Sequence, residues 1–295
     1  MESHTLPNQL LPYTGDDHVL IYDYHADKES SRQEVILSRH TISFLQEGEK
    51  EIIADHNPVA INNTKFLIMR AGNVLMTEKF SSEKAKYSSL LLFFSQQAVL
   101  DFIKRHEIDL SESGPEESTT PLAYDPFIRT FVLSLRDLMT LDRSIQRKLL
   151  AVKFEELMLY LIARDGTSLL SSLLNHNDQR SFDFVKVVEA NKHNKLTLNQ
   201  LAFLSNMSVS TFKRAFEKHY QESPIKWFHD QRLMHAAYLL KSELRRPSDI
   251  YLETGYESLS NFIQAFKQKY GVTPKQYQIS NDSPFAKGVP ERRGI

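Results

Sequence analysis

The chain has 295 residues, 41% hydrophobic and 25% charged, with a formal net charge of −1, which suits two globular domains with separate cores. No apolar run reaches the roughly 18 residues that a membrane-spanning helix needs. Cysteine is absent, which excludes thiolate metal sites, thiol nucleophiles and disulfides and suits a reducing cytoplasm.

Met1 to Tyr13 lacks a basic segment followed by an apolar core, so no secretory signal is expected and the protein is placed in the cytoplasm. From Val19 to Phe94 short apolar or alternating runs dominate: 19–22, 35–37, 41–45, 51–53, 66–69 and 89–94. Glu47-Gly48, His56-Asn57-Pro58, Asn62-Asn63 and Ala71-Gly72-Asn73 separate them as turns. Many short strands so punctuated predict a β-barrel or jelly-roll over 15–95. After Ser95 the period becomes helical. Gln96 to His106 reads as a helix, 111–123 as an exposed loop, and two further helices are expected near 125–141 and 143–164. The last carries Leu149, Leu150, Val152, Phe154, Leu157, Leu161 and Ile162, more apolar surface than one face needs. It packs on the barrel or on a second copy of the chain. Residues 166–180 read as a linker between a regulatory and dimerisation domain, 1–165, and a helical domain, 181–279, with a flexible tail over 280–295.

Charge divides along the same line. Residues 1–180 hold 19 Lys and Arg against 26 Asp and Glu, net −7, whereas 181–279 hold 14 against 9, net +5. An acidic front and a basic back suggest that the back meets a polyanion.

The back half repeats itself at an offset of 50 residues: Ser208 with Ser258, Ser210 with Ser260, Phe212 with Phe262, Ala215 with Ala265, Phe216 with Phe266, Tyr220 with Tyr270 and Pro224 with Pro274. One spacing shared by seven positions indicates two copies of one supersecondary unit. Each copy reads as helix, turn, helix. In the first, Thr197 and Gln200 form a capping box, Ser205-Asn206-Met207 turns and Ser208 caps the second helix. In the second, Ser248 caps the start, Ile250 and Leu252 follow, Gly255 turns and Ser258 caps. Ser223-Pro224 opens a connecting helix to about Leu240.

On a helical wheel Val209, Phe212, Ala215 and Phe216 share one side, as do Leu259, Phe262, Ala265 and Phe266. The opposite sides differ: Ser210, Arg214 and Glu217 flanked by Lys213, against Ser260, Gln264 and Lys267 flanked by Ile263. A major groove admits one α-helix; arginine pairs with guanine O6 and N7, and glutamine with adenine N6 and N7. Arg214 and Gln264 are therefore the expected base readers, with Ile263 against a thymine methyl. Ser208, Ser210, Thr211, Ser258, Ser260 and Asn261 lie at helix N-termini, near base edges or phosphates. Lys213, Lys218 and Lys267 suit phosphates. Glu217 suits a groove only by accepting from cytosine N4 or by turning away.

These residues resemble the AraC/XylS family of transcription regulators. Leu201-Ala202, Met207-Ser208, Phe212-Lys213-Arg214-Ala215-Phe216, Ser223-Pro224 and Arg232-Leu233 with Ala236 and Leu240 carry the first half of the likeness. Ile250, Gly255-Tyr256, Ser260, Phe262, Ala265-Phe266-Lys267, Tyr270-Gly271-Val272-Thr273-Pro274 and Tyr277 carry the second. The likeness covers about 182–278. It implies seven helices, two helix-turn-helix units in successive major grooves, a structural role for Arg232, and a regulator of transcription, more often an activator, that works with RNA polymerase. The sequence departs from the family at Asn206 and Gln221, where glycine is common, at Tyr251, where alanine is usual, and at Gln264, often arginine. The front half resembles the family's cupin-like sensor more loosely. That likeness implies control by a small molecule or a protein partner and dimerisation through the front helices. In an alternative reading the front half only docks proteins. The fold class expected overall is α+β.

No enzyme activity is expected: alkyl transfer on DNA would need a cysteine nucleophile. His18, His25, His40 and His56 lack metal-ligand spacing, so no metal and no cofactor are expected.

Overall fold

A computed structural model describes residues 3–11, 17–81, 86–110, 118–174 and 180–280. It divides into two compact units: residues up to Ala190 together with Asn199–Phe212, and Asn191–Leu198 together with residues from Lys213 onward.

The front half contains β1 (His4–Leu6), β2 (Val19–Ala26), β3 (Ser30–Leu37), β4 (His40–Glu47), β5 (Glu49–Ile53), β6 (Val59–Asn62), β7 (Lys65–Met69), β8 (Gly72–Lys79) and β9 (Tyr87–Phe94). After α1 (Gln96–Arg105) come β10 (Thr119–Ala123), α2 (Pro126–Leu138), α3 (Arg143–Asp165) and α4 (Ser168–Leu174). The strands form two five-stranded sheets, β1-β3-β8-β5-β6 and β10-β7-β4-β9-β2. Among the described residues they do not close into a barrel, which corrects that part of the expectation.

Two covered faces on one sheet explain why its strands read as continuous apolar runs. Side chains alternate across a strand. In β9, Leu90, Leu92 and Phe94 face a core shared with α1 to α4, while Leu91 and Phe93 point the other way. In β7, Phe66 and Ile68 face the helices and Leu67 and Met69 face the second sheet. The helices start where local chemistry stops the strands. Ser95 accepts from the Ala98 amide at 3.2 Å, and Asp125 accepts from the Ile128 amide at 2.9 Å ahead of Pro126.

Three loop expectations need correction. Thr119–Ala123, at the end of the expected loop, pairs antiparallel with β7. The expected linker over 166–180 holds α4, whose Leu169, Leu170 and Leu173 join the helix-covered core. Gly72 and Asn73, read as a turn, open β8, which sits centrally in its sheet. The rest of these regions, 111–117 and 175–179, and the tail from 281 lie outside the described residues.

Seven helices span the described part of the back half: α5 (Arg180–Ala190), α6 (Leu198–Leu204), α7 (Val209–Tyr220), α8 (Pro224–Ser242), α9 (Pro247–Ile250), α10 (Leu259–Tyr270) and α11 (Pro274–Ile279). Ser248 does not cap α9: Arg246 holds the cap position and Pro247 begins the helix. Leu252 is exposed rather than part of the core. Gln221 and Gly271 end α7 and α10 at corresponding positions, both left-handed, with φ +55° and +76°. A left-handed residue with a Cβ costs roughly 1–2 kcal/mol, partly offset for glycine by lost chain entropy. Gln221→Gly should therefore raise stability by about 0.5–1 kcal/mol in urea unfolding. An unchanged or lower midpoint would refute this strain.

Candidate nucleic-acid interface

The duplication seen in sequence extends to individual hydrogen bonds. At the end of α6, Ser205 donates its hydroxyl to the Leu201 carbonyl at 2.8 Å, and Thr254 donates to Ile250 at 2.9 Å. The amides of Met207 and Tyr256 reach back to Ala202 and Tyr251, both at 2.9 Å. Between them Asn206 and Gly255 take left-handed φ values of +52° and +86°. Asparagine tolerates this conformation, so the turn survives without glycine. At Gly255 a Cβ would also stand 3.2 Å from Arg232 Cδ, a tight approach that the arginine side chain would have to relieve by shifting a few tenths of an ångström. The first helices thus repeat at 49 residues and the second at 50, so the second turn is one residue longer. Ser208 and Ser258 then cap α7 and α10, accepting from the amides of Thr211 and Asn261 at 3.2 Å in each case.

Behind the turns the aromatic packing is also duplicated. Phe216 stands edge-on to Trp227 at 5.5 Å and tilted on Tyr220 at 4.5 Å. Phe266 stands edge-on to Tyr277 at 5.2 Å and tilted on Tyr270 at 4.5 Å. Trp227 and Tyr277 are again 50 residues apart, each following its proline, Pro224 or Pro274, by three positions. Phe212, Phe216, Phe262 and Phe266 are all fully buried. Tyr270 adds a hydrogen bond to the Leu233 carbonyl, and burial pushes its phenol well above the usual range. Arg232 is half-buried beside Gly255, and burial lowers its pKa below the ordinary arginine value. Its place inside the fold accords with a structural role.

These inner faces present the outer ones. Ser210, Thr211, Lys213, Arg214 and Lys218 are exposed on α7; Ser260, Asn261, Gln264 and Lys267 are exposed on α10. Ser208 is exposed, whereas Ser258 and Ile263 are half-buried, so Ile263 presents only part of its side chain. The hydroxyl of Ser208 also lies 3.0 Å from that of Ser210 and 2.8 Å from that of Thr211, clustering three hydroxyls at the start of α7. Glu217 is exposed and brings its negative charge to the same face.

Several cations elsewhere in this half are neutralised: Lys226 by Glu222 at 2.6 Å, Lys269 by Asp230 at 2.9 Å and Lys195 by Glu257 at 3.7 Å. Among the described residues, Lys213, Arg214, Lys218 and Lys267 have no acidic partner. Exposed cations without acidic partners on α7 and α10 suit a polyanion. Gln268 is exposed at the position that Lys218 holds in the first copy, so the 50-residue offset makes it a further candidate.

Residues 40–173 match the family described as ExsA N-terminal regulatory domain, and 201–279 match a helix-turn-helix domain. The chain is 24% identical to the HTH-type transcriptional regulator ExsA of Pseudomonas aeruginosa, over 90% of this chain and 92% of that one. It is 31% identical to the thermoregulatory protein LcrF of Yersinia pestis, and 30% identical to the virulence regulon transcriptional activator VirF of Yersinia enterocolitica. Each of these two alignments covers 61% of this chain and 68% of the relative. The chain belongs to the AraC/XylS family of transcription regulators, with a regulatory front half and a DNA-binding helix-turn-helix domain behind it.

Proposed function

We propose that the protein sets α7 and α10 in successive major grooves on one face of double-stranded DNA and regulates transcription from there in the cytoplasm. The observation that carries this reading is the contrast between two inner faces with duplicated contacts and two unlike outer ones. Arg214 reads guanine and Gln264 reads adenine, with Ile263 at a thymine methyl. Ser210, Thr211, Ser260 and Asn261, with the capping Ser208 and Ser258, fix the register, and Lys213, Lys218 and Lys267 bind phosphates. Genomic fragments retained by the full-length protein should share an asymmetric site of about 20 base pairs, two helical turns long. On that site Arg214→Ala should cost about 1–3 kcal/mol and relax one base preference, whereas Lys218→Ala should weaken all sequences alike and flatten the salt dependence. If Arg214→Ala keeps both affinity and selectivity, the assignment fails.

The sign proposed is activation, exerted on RNA polymerase, in keeping with the name of VirF. The front half is proposed to control DNA binding in response to an effector, a small molecule or a protein. It also supplies a self-association face. Leu150, Phe154, Leu157 and Leu161 of α3 enter the core, but Ile145, Leu149, Val152 and Leu159 remain exposed at spacings of four, three and seven residues. That is the seam of a helix pair, and a second copy is the occupant proposed. Val152→Glu should convert a dimer to a monomer in sedimentation analysis; a dimer that survives it rejects this face.

A further inference from the structure

Between the two sheets of the front half lies a cavity of about 360 Å³, near the lower end of the range for small-molecule sites, about 300–1,000 Å³. Leu37, Met69, Met76 and Leu91 give it apolar walls, and Lys50, Glu78 and Tyr24 bring polar atoms to the same space. Lys50 and Glu78 face each other across β5 and β8, with side chains only 2% and 6% exposed and N to O at 3.4 Å. Lys50 Nζ also donates to Ser43 Oγ at 3.0 Å, and the Tyr24 hydroxyl donates to Glu78 Oε2 at 3.0 Å.

An ion pair this deep gives little net stability, because removing both charges from water offsets their attraction. The pair has a second property that packing alone does not require. An ammonium carries three protons, and among the described residues Lys50 meets two acceptors, Glu78 and Ser43. The Tyr87 ring stands 5.7 Å from the ammonium, so one proton beside the cavity has no hydrogen-bonded acceptor among the described residues and is open to an occupant.

We infer that this cavity binds an uncharged, mainly hydrocarbon small molecule through a carbonyl or hydroxyl oxygen that accepts from Lys50. Charge selects the class. Glu78 already neutralises Lys50, so a carboxylate would put two anions beside one cation where little water screens them. A cationic ligand would compete with Lys50 for Glu78. A neutral acceptor adds no charge and satisfies the ammonium. The inference rests on the reading of the front half as an effector-controlled domain and names the chemistry of that effector.

The test is calorimetry on the full-length protein at neutral pH without DNA. The probes are methyl heptyl ketone, the matching secondary alcohol, the carboxylic acid of equal chain length and the alkane. The ketone and alcohol should bind at one per chain, and the carboxylate at least about tenfold more weakly, as expected for a bond to a charged donor set against repulsion from Glu78. Lys50→Met/Glu78→Leu should weaken the ketone by about tenfold or more, with circular dichroism checking the fold. Glu78→Gln, which keeps an acceptor for both Tyr24 and Lys50, should reverse the preference towards the carboxylate. The assignment is overturned if no neutral probe binds, if the carboxylate binds as well as the ketone, or if both variants leave the affinities unchanged. Because no DNA is present, such a failure leaves DNA recognition standing, and failure of the fragment selection leaves this measurement standing.

Discussion

Phe266→Ala should lower the stability of the back half by about 3–5 kcal/mol, enough to leave much of a domain of ordinary stability unfolded. The ring is fully buried and contacts Phe262 at 5.7 Å, Tyr270 at 4.5 Å and Tyr277 at 5.2 Å. All three neighbours are rigid rings, and Tyr270 is further tied to the Leu233 carbonyl, so they cannot swing into the space left behind. The cost should therefore lie towards the upper end for a large-to-small change. DNA binding should fall with it, because α10 loses the anchor that fixes which face it presents. Phe216→Ala removes the corresponding ring, which contacts Tyr220, Trp227 and Phe228. Trp227 is the single tryptophan of the chain, so its fluorescence reports the first copy while circular dichroism reports both. Urea unfolding followed by the two signals tests the idea. A Phe266→Ala midpoint equal to that of the unmodified protein would mean that these rings do not anchor the helix.

The back half was legible because its information is local and written twice. Phe212 with Phe262 and Ser208 with Ser258 are close in sequence to the helices they organise, and helical spacing turns a list of residues into faces. The one-residue difference between the turns was not legible from matched positions alone. Ser205 and Thr254 differ in type, and their equivalence lies in a shared hydroxyl-to-carbonyl bond. The front half was legible as strands but not as two open sheets, since pairing such as β3 with β8 joins residues more than 30 positions apart. β8 was lost because Ala71-Gly72-Asn73 carries turn chemistry at its start, and β10 because Thr119–Ala123 contains a proline and borders a polar loop. Pro121 is tolerated there because β10 is the edge strand of its sheet. The outward placement of the proposed site residues of α7 and α10 followed from helical spacing, except at Ser258 and Ile263, which are half-buried. The ion pair of Lys50 and Glu78 did not: each residue alone looks like solvated surface, and only the register of β5 on β8 puts them opposite one another.

That pair gives the second large effect, and its sign depends on which residues are removed. Glu78→Leu alone leaves Lys50 buried without its counter-charge and should cost about 3–5 kcal/mol, whereas Lys50→Met/Glu78→Leu should restore most of the loss or exceed the unmodified stability. The non-additivity follows from desolvation, which falls on each ion separately and is repaid only when both are present. The pH dependence separates this cause from simple misfit of leucine. Burial already holds the Lys50 pKa below its ordinary value of 10.5, and removing Glu78 takes away the attraction that opposes that fall. Below the folded-state value the lysine must be buried charged, while the unfolded chain carries the proton freely. Between the two values the unfolded state binds more protons, so stability rises with pH. The Glu78→Leu protein should therefore recover part of its loss as pH rises from neutral towards the ordinary lysine value of 10.5, and Lys50→Met/Glu78→Leu, with no buried base, should not. Parallel urea midpoints for the single and double variants across that interval would show that the loss comes from packing rather than from an uncompensated ammonium.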